Sequence, residues 1–195
     1  MKIGIVIGSV REGRIGESIG TWVAGRARVL QDAADVEWEV LDLQDFELPV
    51  MTDENWAQDP DGPVEVHHWR DAVDQCDGFV FVTPEYNRNI PGAFKNAYDL
   101  LSRQWMDKTL AIVAYGGLGG VRANEAWRVT VAAYNMHVVG ASVNLIRRVD
   151  LPGGTLAVTD HHDASLAKVL ARLVSLTRAV TAERERAATA ATPSI

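Results

Sequence analysis

Hydrophobic and polar residues follow two rhythms along this chain, one suited to strands and one to helices. Residues 2–8 (KIGIVIG) form a β-branched run almost without polar interruption, the pattern of a strand covered on both faces. Residues 78–83 (GFVFVT) and 109–115 (TLAIVAY) repeat it. Residues 36–43 alternate Val, Trp, Val and Leu with Glu and Asp, which predicts a half-exposed strand, and residues 137–145 read as a fifth. Between the strands the apolar spacing changes to three and four. In residues 15–30, Ile15, Ile19, Trp22, Val23, Ala27 and Leu30 share one stripe. Similar helical patterns cover 64–76, 93–103, a segment from about 121 to about 135, and 164–186. Residues 44–63 hold three prolines and many acids without a period and predict a long loop. The final AATAATPSI predicts a frayed tail over 187–195 behind one domain over 1–186.

Strands and helices therefore alternate from one end to the other. That order calls for right-handed crossovers and a parallel sheet with helices on both faces. Five strands fit a flavodoxin-like α/β three-layer sandwich of order 2-1-3-4-5 better than a six-stranded dinucleotide fold. In such a sheet, ligands bind beyond the carboxyl ends of the strands, where the order reverses between strands 1 and 3. The loops at that end are residues 8–18, 83–92 and 115–120. They are also where Gly, hydroxyl, Arg and Asn concentrate.

Composition narrows the class. The chain has 195 residues, 26 acidic against 19 basic, for a net charge of −7, which disfavours a general nucleic-acid binder. Apolar and charged fractions of 47% and 23% argue against wholesale disorder. The single cysteine, Cys76, excludes an internal disulfide and a cysteine-ligated cluster. No apolar run approaches a membrane span, and MKIGIVIGSV is too short an apolar run for a signal peptide. A cytoplasmic protein is the expectation. The acids are unevenly spread: residues 32–77 carry 15 of them and one base, Arg70, leaving 11 acids and 18 bases elsewhere. The candidate loops thus lie in the anion-friendly remainder, while the acidic block reads as a solvated face.

The first loop, GSVREGRIGES, sets two arginines and two hydroxyls between a buried strand and a helix start, where free N–H groups suit a phosphate. Arg11 and Arg14 can grip oxygens bidentately, and Gly13 and Gly16 allow close backbone approach. A polar turn capped by Ser9 or Ser18 is the alternative. Neither the Walker nor the G-x-G-x-x-G pattern is present. The second loop, TPEYNRNIPG, is stiffened by Pro84 and Pro91 and suits edge-on hydrogen bonding to a planar heterocycle, or else is a rigid surface turn. The third, YGGLGG, would let something flat lie on bare backbone, or be a mobile turn.

Together, GSVREGRIGES, TPEYNRNIPGAFKNAYDLLSR and YGGLGGVRA resemble the NADPH-dependent FMN reductases, a group with quinone, azo and chromate reductases on a flavodoxin-like fold. The resemblance spans residues 1–145, and P-E-Y-N…P-G-x-x-K-N-A-x-D is its most specific block. It implies that Ser9, Arg11, Gly16, Glu17 and Ser18 hold the FMN phosphate, the last three through backbone N–H groups. Pro84, Glu85, Tyr86 and Asn87 would line the isoalloxazine ring, with Tyr115, Gly116 and Gly117 on its other side. Arg88 and Asn89 would touch the nicotinamide nucleotide. Many members carry Ser and Asn where Arg14 and Gly16 stand here, so of the phosphate roles the one for Arg14 has the least support from the resemblance. The resemblance further implies NAD(P)H as co-substrate, ping-pong transfer to a quinone, flavin or azo acceptor, no catalytic metal, and a homodimer or homotetramer with FMN near the interface.

A flavodoxin-type electron carrier is the first rival, although its T-x-T-G-x-T loop is missing; a non-enzymatic interaction module is the second. His67-His68 and His161-His162 lack the i, i+4 spacing of a helical zinc site and read as surface or cap residues. His137 reads as a packed residue, Cys76 as an inert half-buried thiol, and Trp56 as a residue that could reach a partner subunit.

Overall fold

In the computed structural model, which describes residues 1–31 and 33–191, the apolar runs become the centre of one parallel sheet. The elements run β1 (Lys2–Ile7), α1 (Gly16–Arg28), β2 (Glu37–Asp42), α2 (Val64–Asp74), β3 (Gly78–Pro84), α3 (Gly92–Asp99), β4 (Thr109–Gly116) and α4 (Val121–Val131). They continue through β5 (His137–Val138), β6 (Val143–Ile146), α5 (Arg147–Asp150) and α6 (Asp160–Ala191). The sheet order is β2-β1-β3-β4-β5, with β6 also on β4 and every pair parallel. This is the flavodoxin-like order expected from the strand count.

Each central strand is apolar on both faces because each face is covered. Ile3, Ile5, Val80, Val82, Ala111 and Val113 pack with Ile19 and Val23 of α1 and Leu166, Leu170 and Leu173 of α6. Val6, Phe79, Phe81 and Ile112 point the other way, toward α2, α3 and α4. That second layer is aromatic: Trp69, Trp105 and Trp127 are fully buried, and Phe81 meets Trp127 edge-on at 4.9 Å. Their indole N–H groups donate to the Ala97 carbonyl (2.7 Å), the Tyr98 carbonyl (3.0 Å) and Thr83 Oγ1 (3.2 Å), so burying these polar tips leaves no donor unpaired. The first two bonds tie α3 to α2 and to residue 105, and the third ties α4 to the end of β3, where the second loop leaves the sheet.

The fifth strand departs from expectation. Residues 137–145 are not continuous: from Leu110 to Val113 the β4 side advances three residues, while from Val138 to Val143 its partner advances five. The two extra residues bulge out, and the carbonyls of Val139 and Gly140 accept from Arg128 Nη2 (3.1 and 3.2 Å). The sheet therefore has six strands, two of them sharing one position. Helix ends also shift. α3 stops at Asp99, and Arg103–Trp105 forms a separate 3-10 turn. After α4 a 3-10 turn, Ala132–Tyr134, closes at Asn135, whose φ of 53° cannot continue a helix. α6 runs through Ala191 along good helix formers, past the expected end at 186, and residues 192–195 of the expected tail lie outside the described residues.

Outside the site, His137 is exposed at the start of β5 rather than packed. Trp56 is half-buried and packs against the aromatic layer. His67 Nε2 lies 3.1 Å from the Trp56 carbonyl and 2.9 Å from that of Asp59, tying the acidic loop to α2. Cys76 is fully buried, and desolvation pushes its thiol up to about 12.

Candidate functional site

The three loops at the carboxyl ends of β1, β3 and β4 converge, and each is held by local bonds that the sequence encodes. At the β1 exit, the Gly8 amide donates to the Val82 carbonyl (3.0 Å), and a Cβ on Gly8 would fall 1.8 Å from the Phe94 ring. Ser9 follows, nearly fully buried, with its Oγ 2.9 Å from Tyr86 Oη. The first and second loops are thereby joined.

Arg14 is committed elsewhere. Its guanidinium forks onto the Asp42 carboxylate, with Nη2–Oδ2 at 2.5 Å and Nη1 on Oδ1, and Nη1 also donates to the Ser9 carbonyl (2.7 Å). This buried clamp ties the loop to the end of β2, and the expectation that Arg14 grips a phosphate is corrected. Ser18 is no cap either: its Oγ donates back to the Ile15 carbonyl (2.9 Å), and no side chain caps α1. The Ser18 amide is turned onto the Ile15 carbonyl (3.1 Å), whereas those of Gly16 and Glu17 have no acceptor among the described residues. Two free donors thus stand at the start of α1. The Arg11 carbonyl accepts the Arg14 amide (3.1 Å), but its guanidinium makes no hydrogen bond or ion pair with any described residue.

The second loop is a tight hairpin. Tyr86 and Asn89 exchange backbone bonds (3.1 and 3.0 Å), and Asn87 and Arg88 at the tip have φ of 50° and 70°, the conformation of a type I′ turn. Asn87, Arg88 and Asn89 are exposed and do not line the cavity, and Asn89 Oδ1 accepts from the Ile90 amide (2.8 Å). Glu85 lines the cavity but spends its carboxylate on the start of α4: Oε2 accepts the Arg122 amide (2.9 Å) and Oε1 its Nη1 (3.0 Å). The Glu85 amide donates to the Tyr115 carbonyl (2.9 Å).

The third loop turns sharply through Gly119 and Gly120, with φ of 76° and 70°, and a Cβ at Gly120 would lie 2.6 Å from the Tyr115 nitrogen. Asn144 Nδ2 donates to the Gly119 carbonyl (2.8 Å), so β6 fixes the turn.

Between the loops lies a cavity of about 230 Å³. Ser9 and Arg11 line it from the first loop, Pro84, Glu85 and Tyr86 from the second, and Tyr115, Gly116 and Gly117 from the third. Gly16, Glu17 and Ser18 stand behind the first loop and do not line it. Gly16 shapes it, however, because a Cβ there would sit 2.8 Å from Tyr115 Oη. That hydroxyl is buried with no partner at good hydrogen-bond geometry among the described residues, the Ser9 side chain being its nearest polar neighbour. Desolvation raises its pKa, keeping it a neutral donor. Ile15 and Arg147 complete the lining. Ile15 was legible only as a helix stripe residue, and Arg147 had no signal beyond its charge, because the break at 152–154 hides where the chain returns. Among the described residues, no group of three or more His, Cys, Asp or Glu could hold a metal ion, and no helix is long and apolar enough to cross a membrane.

Comparison with known proteins decides the family. The family model for NADPH-dependent FMN reductase matches residues 1–149. The chain belongs to that family. It is accordingly an oxidoreductase, and the relatives agree. It is 30% identical over 194 residues to the NAD(P)H-dependent FMN reductase LOT6 of Saccharomyces cerevisiae, covering 91% of this chain and 99% of that one. A quinone reductase of Pseudomonas putida is 33% identical over 142 residues, covering 69% of this chain and 72% of the relative. Among solved structures, FerB, a flavoenzyme NAD(P)H:(acceptor) oxidoreductase from Paracoccus denitrificans, superposes with a TM-score of 0.70 over 91% of this chain and 97% of that one, at 22% identity. The last likeness shows the fold. For a family whose name carries FMN, the cavity offers matching chemistry: an unpaired guanidinium, a buried phenol and bare glycine backbone, with two free amides behind the first loop.

Proposed function

We propose that this FMN reductase family member binds FMN in the three-loop cavity and oxidises a reduced nicotinamide nucleotide, delivering the electrons to a quinone, flavin or azo acceptor in ping-pong fashion. The observation that carries the reading is that the unpaired Arg11 side chain and the buried Tyr115 hydroxyl line one small cavity, with the free amides of Gly16 and Glu17 just behind its first loop. FMN held there would supply the hydride-transfer chemistry.

The chain's own groups have separate tasks. Arg11 and Ser9, with the Gly16 and Glu17 amides, would hold the phosphate by charge-assisted bonds at a helix start. Tyr115 Oη would donate to a polar atom of the flavin, which removes the cost of its present isolation. Pro84 to Tyr86 would border one edge of the ring and Gly116–Gly117 its other side. Glu85 positions rather than binds, because its carboxylate locks the second loop onto the start of α4. Arg14 likewise holds the first loop in shape. Arg88 and Asn89, at the exposed hairpin tip, would meet the nicotinamide nucleotide, and Asn87 shares that tip rather than the edge of the ring. The cytoplasm, which supplies reduced nicotinamide nucleotides, is the compartment this reading assigns. A homodimer or homotetramer fits the apolar groove of about 670 Å³ beside α3, lined in part by Val10, Leu48, Val50 and Met51.

Initial rates of NADPH oxidation at several quinone concentrations test the reading. FMN-dependent turnover with parallel double-reciprocal lines is expected. Flavin uptake with a single turnover would favour the electron carrier, and absence of flavin uptake the interaction module.

A further inference from the structure

A second cavity, of about 750 Å³, opens beside the first, and Arg11, Ile15 and Arg147 line both. The rest of its wall is Gly13, Arg148 and the turn from Leu151 to Gly154. Three guanidiniums therefore border one hollow on a chain whose net charge is −7. None of the Arg11, Arg147 and Arg148 side chains makes a hydrogen bond or ion pair with any described residue, and no Asp or Glu lines the cavity. The acid nearest Arg147 and Arg148 in sequence, Asp150, is turned inward, its Oδ2 accepting the Ile146 amide (2.6 Å) and its Oδ1 lying 3.2 Å from His162 Nε2, while Glu12, beside Arg11, is exposed and does not line the cavity. The Asp150 carbonyl also accepts the Ala157 amide (2.8 Å). These bonds pin the segment bearing the arginines while leaving their charge uncompensated. Across from them, Gly153 and Gly154, with φ of 61° and 85°, present bare backbone.

Like charges gathered around one hollow repel each other unless a multiply charged anion joins them. Dinucleotide sites read the adenosine ribose by complementary charge. A carboxylate accepts the 2′-hydroxyl of NADH, whereas an arginine accommodates the 2′-phosphate of NADPH. This hollow has arginines and no carboxylate, and it adjoins the slot assigned to the flavin. We propose that it binds the 2′-phosphate of NADPH, with Arg147 and Arg148 selecting NADPH over NADH. The proposal rests on the oxidoreductase reading above, and its anion site can be tested separately.

Calorimetric titration with 2′,5′-ADP and with 5′-ADP, on the protein as isolated and with added FMN, reads the site directly. Arg148 borders only the second cavity, so Arg148→Gln is the cleaner variant. The wild type is expected to bind 2′,5′-ADP about tenfold or more tightly than 5′-ADP, the effect of a charged contact. In Arg148→Gln that preference should fall about tenfold and KM for NADPH should rise in parallel, with KM for NADH and the FMN titration unchanged. Arg148→Lys should retain part of the preference. Equal affinity for the two nucleotides in the wild type, or an undiminished preference in Arg148→Gln, would overturn the proposal. So would weakened FMN binding in Arg148→Gln, which would assign the cavity to the flavin phosphate. A wild type that discriminates between the nucleotides but never takes up FMN would instead refute the functional reading and leave the anion site standing.

Discussion

The two arginines of the first loop should fail in different ways when removed. Arg14 is 9% exposed at its side chain and Asp42 12%, so the pair is largely desolvated, and Arg14 also holds the Ser9 carbonyl. Removing one member of a buried pair costs about 3–5 kcal/mol. Asp42 ends an edge strand where water can reach the vacated space, which favours the lower end, about 3 kcal/mol. At about 2–4 °C per kcal/mol for a chain of this size, Arg14→Ala should lower Tm by about 6–12 °C. The assay is a thermal melt of the FMN-free protein, where no ligand contributes. Asp42→Ala should cost a similar amount, and the double variant should fall short of the sum by about 1–3 kcal/mol, since both single changes break the same bonds. A melt of Arg14→Ala within about 1 °C of the parent, paired with a marked loss of FMN affinity, would refute this assignment and return Arg14 to the phosphate.

Arg11→Ala is expected to give the opposite pattern: an unchanged melt without FMN, and FMN affinity weaker by about 2 kcal/mol, the scale of one charged hydrogen bond, read by flavin fluorescence titration. Gly16→Ala should destabilise the fold by about 1–3 kcal/mol through overpacking, because the new Cβ meets Tyr115 Oη at 2.8 Å. Adding Tyr115→Phe should recover most of that loss, and failure to recover would place the clash elsewhere. Native Cys76 should resist thiol reagents that label it in denaturant. Because burial raises its pKa to about 12, the folded chain keeps a proton that the unfolded chain releases from about pH 9 upward. Stability should therefore fall through that window, and Cys76→Ala should flatten this part of the alkaline profile.

The parts of the fold legible in sequence were those whose cause is local. The unbroken apolar runs of β1, β3 and β4 reflect cover on both faces, and Gly-rich turns after each mark where the chain must reverse. The break between β5 and β6 was hidden because its cause lies on another element: Arg128 on α4 draws out the Val139 and Gly140 carbonyls. The same limit governed the site. The loops that converge could be named from strand order, but the destination of each charged side chain could not. Arg11 and Arg14 look equivalent in GSVREGRIGES, yet Asp42, far along the chain, captures one and leaves the other. Glu85 sits in the most specific block and lines the cavity, while its carboxylate serves Arg122. Arg147 joined the cavity only because the α5 turn, held by Asp150, brings the chain back beside Ile15.

A crystal structure of the protein grown with FMN tests the central claim most directly. The phosphate is expected on Arg11, Ser9 and the Gly16 and Glu17 amides, with a polar flavin atom on Tyr115 Oη and Arg14 still clasping Asp42. Flavin bound away from the three loops, or its phosphate seated on Arg147 and Arg148, would contradict that claim.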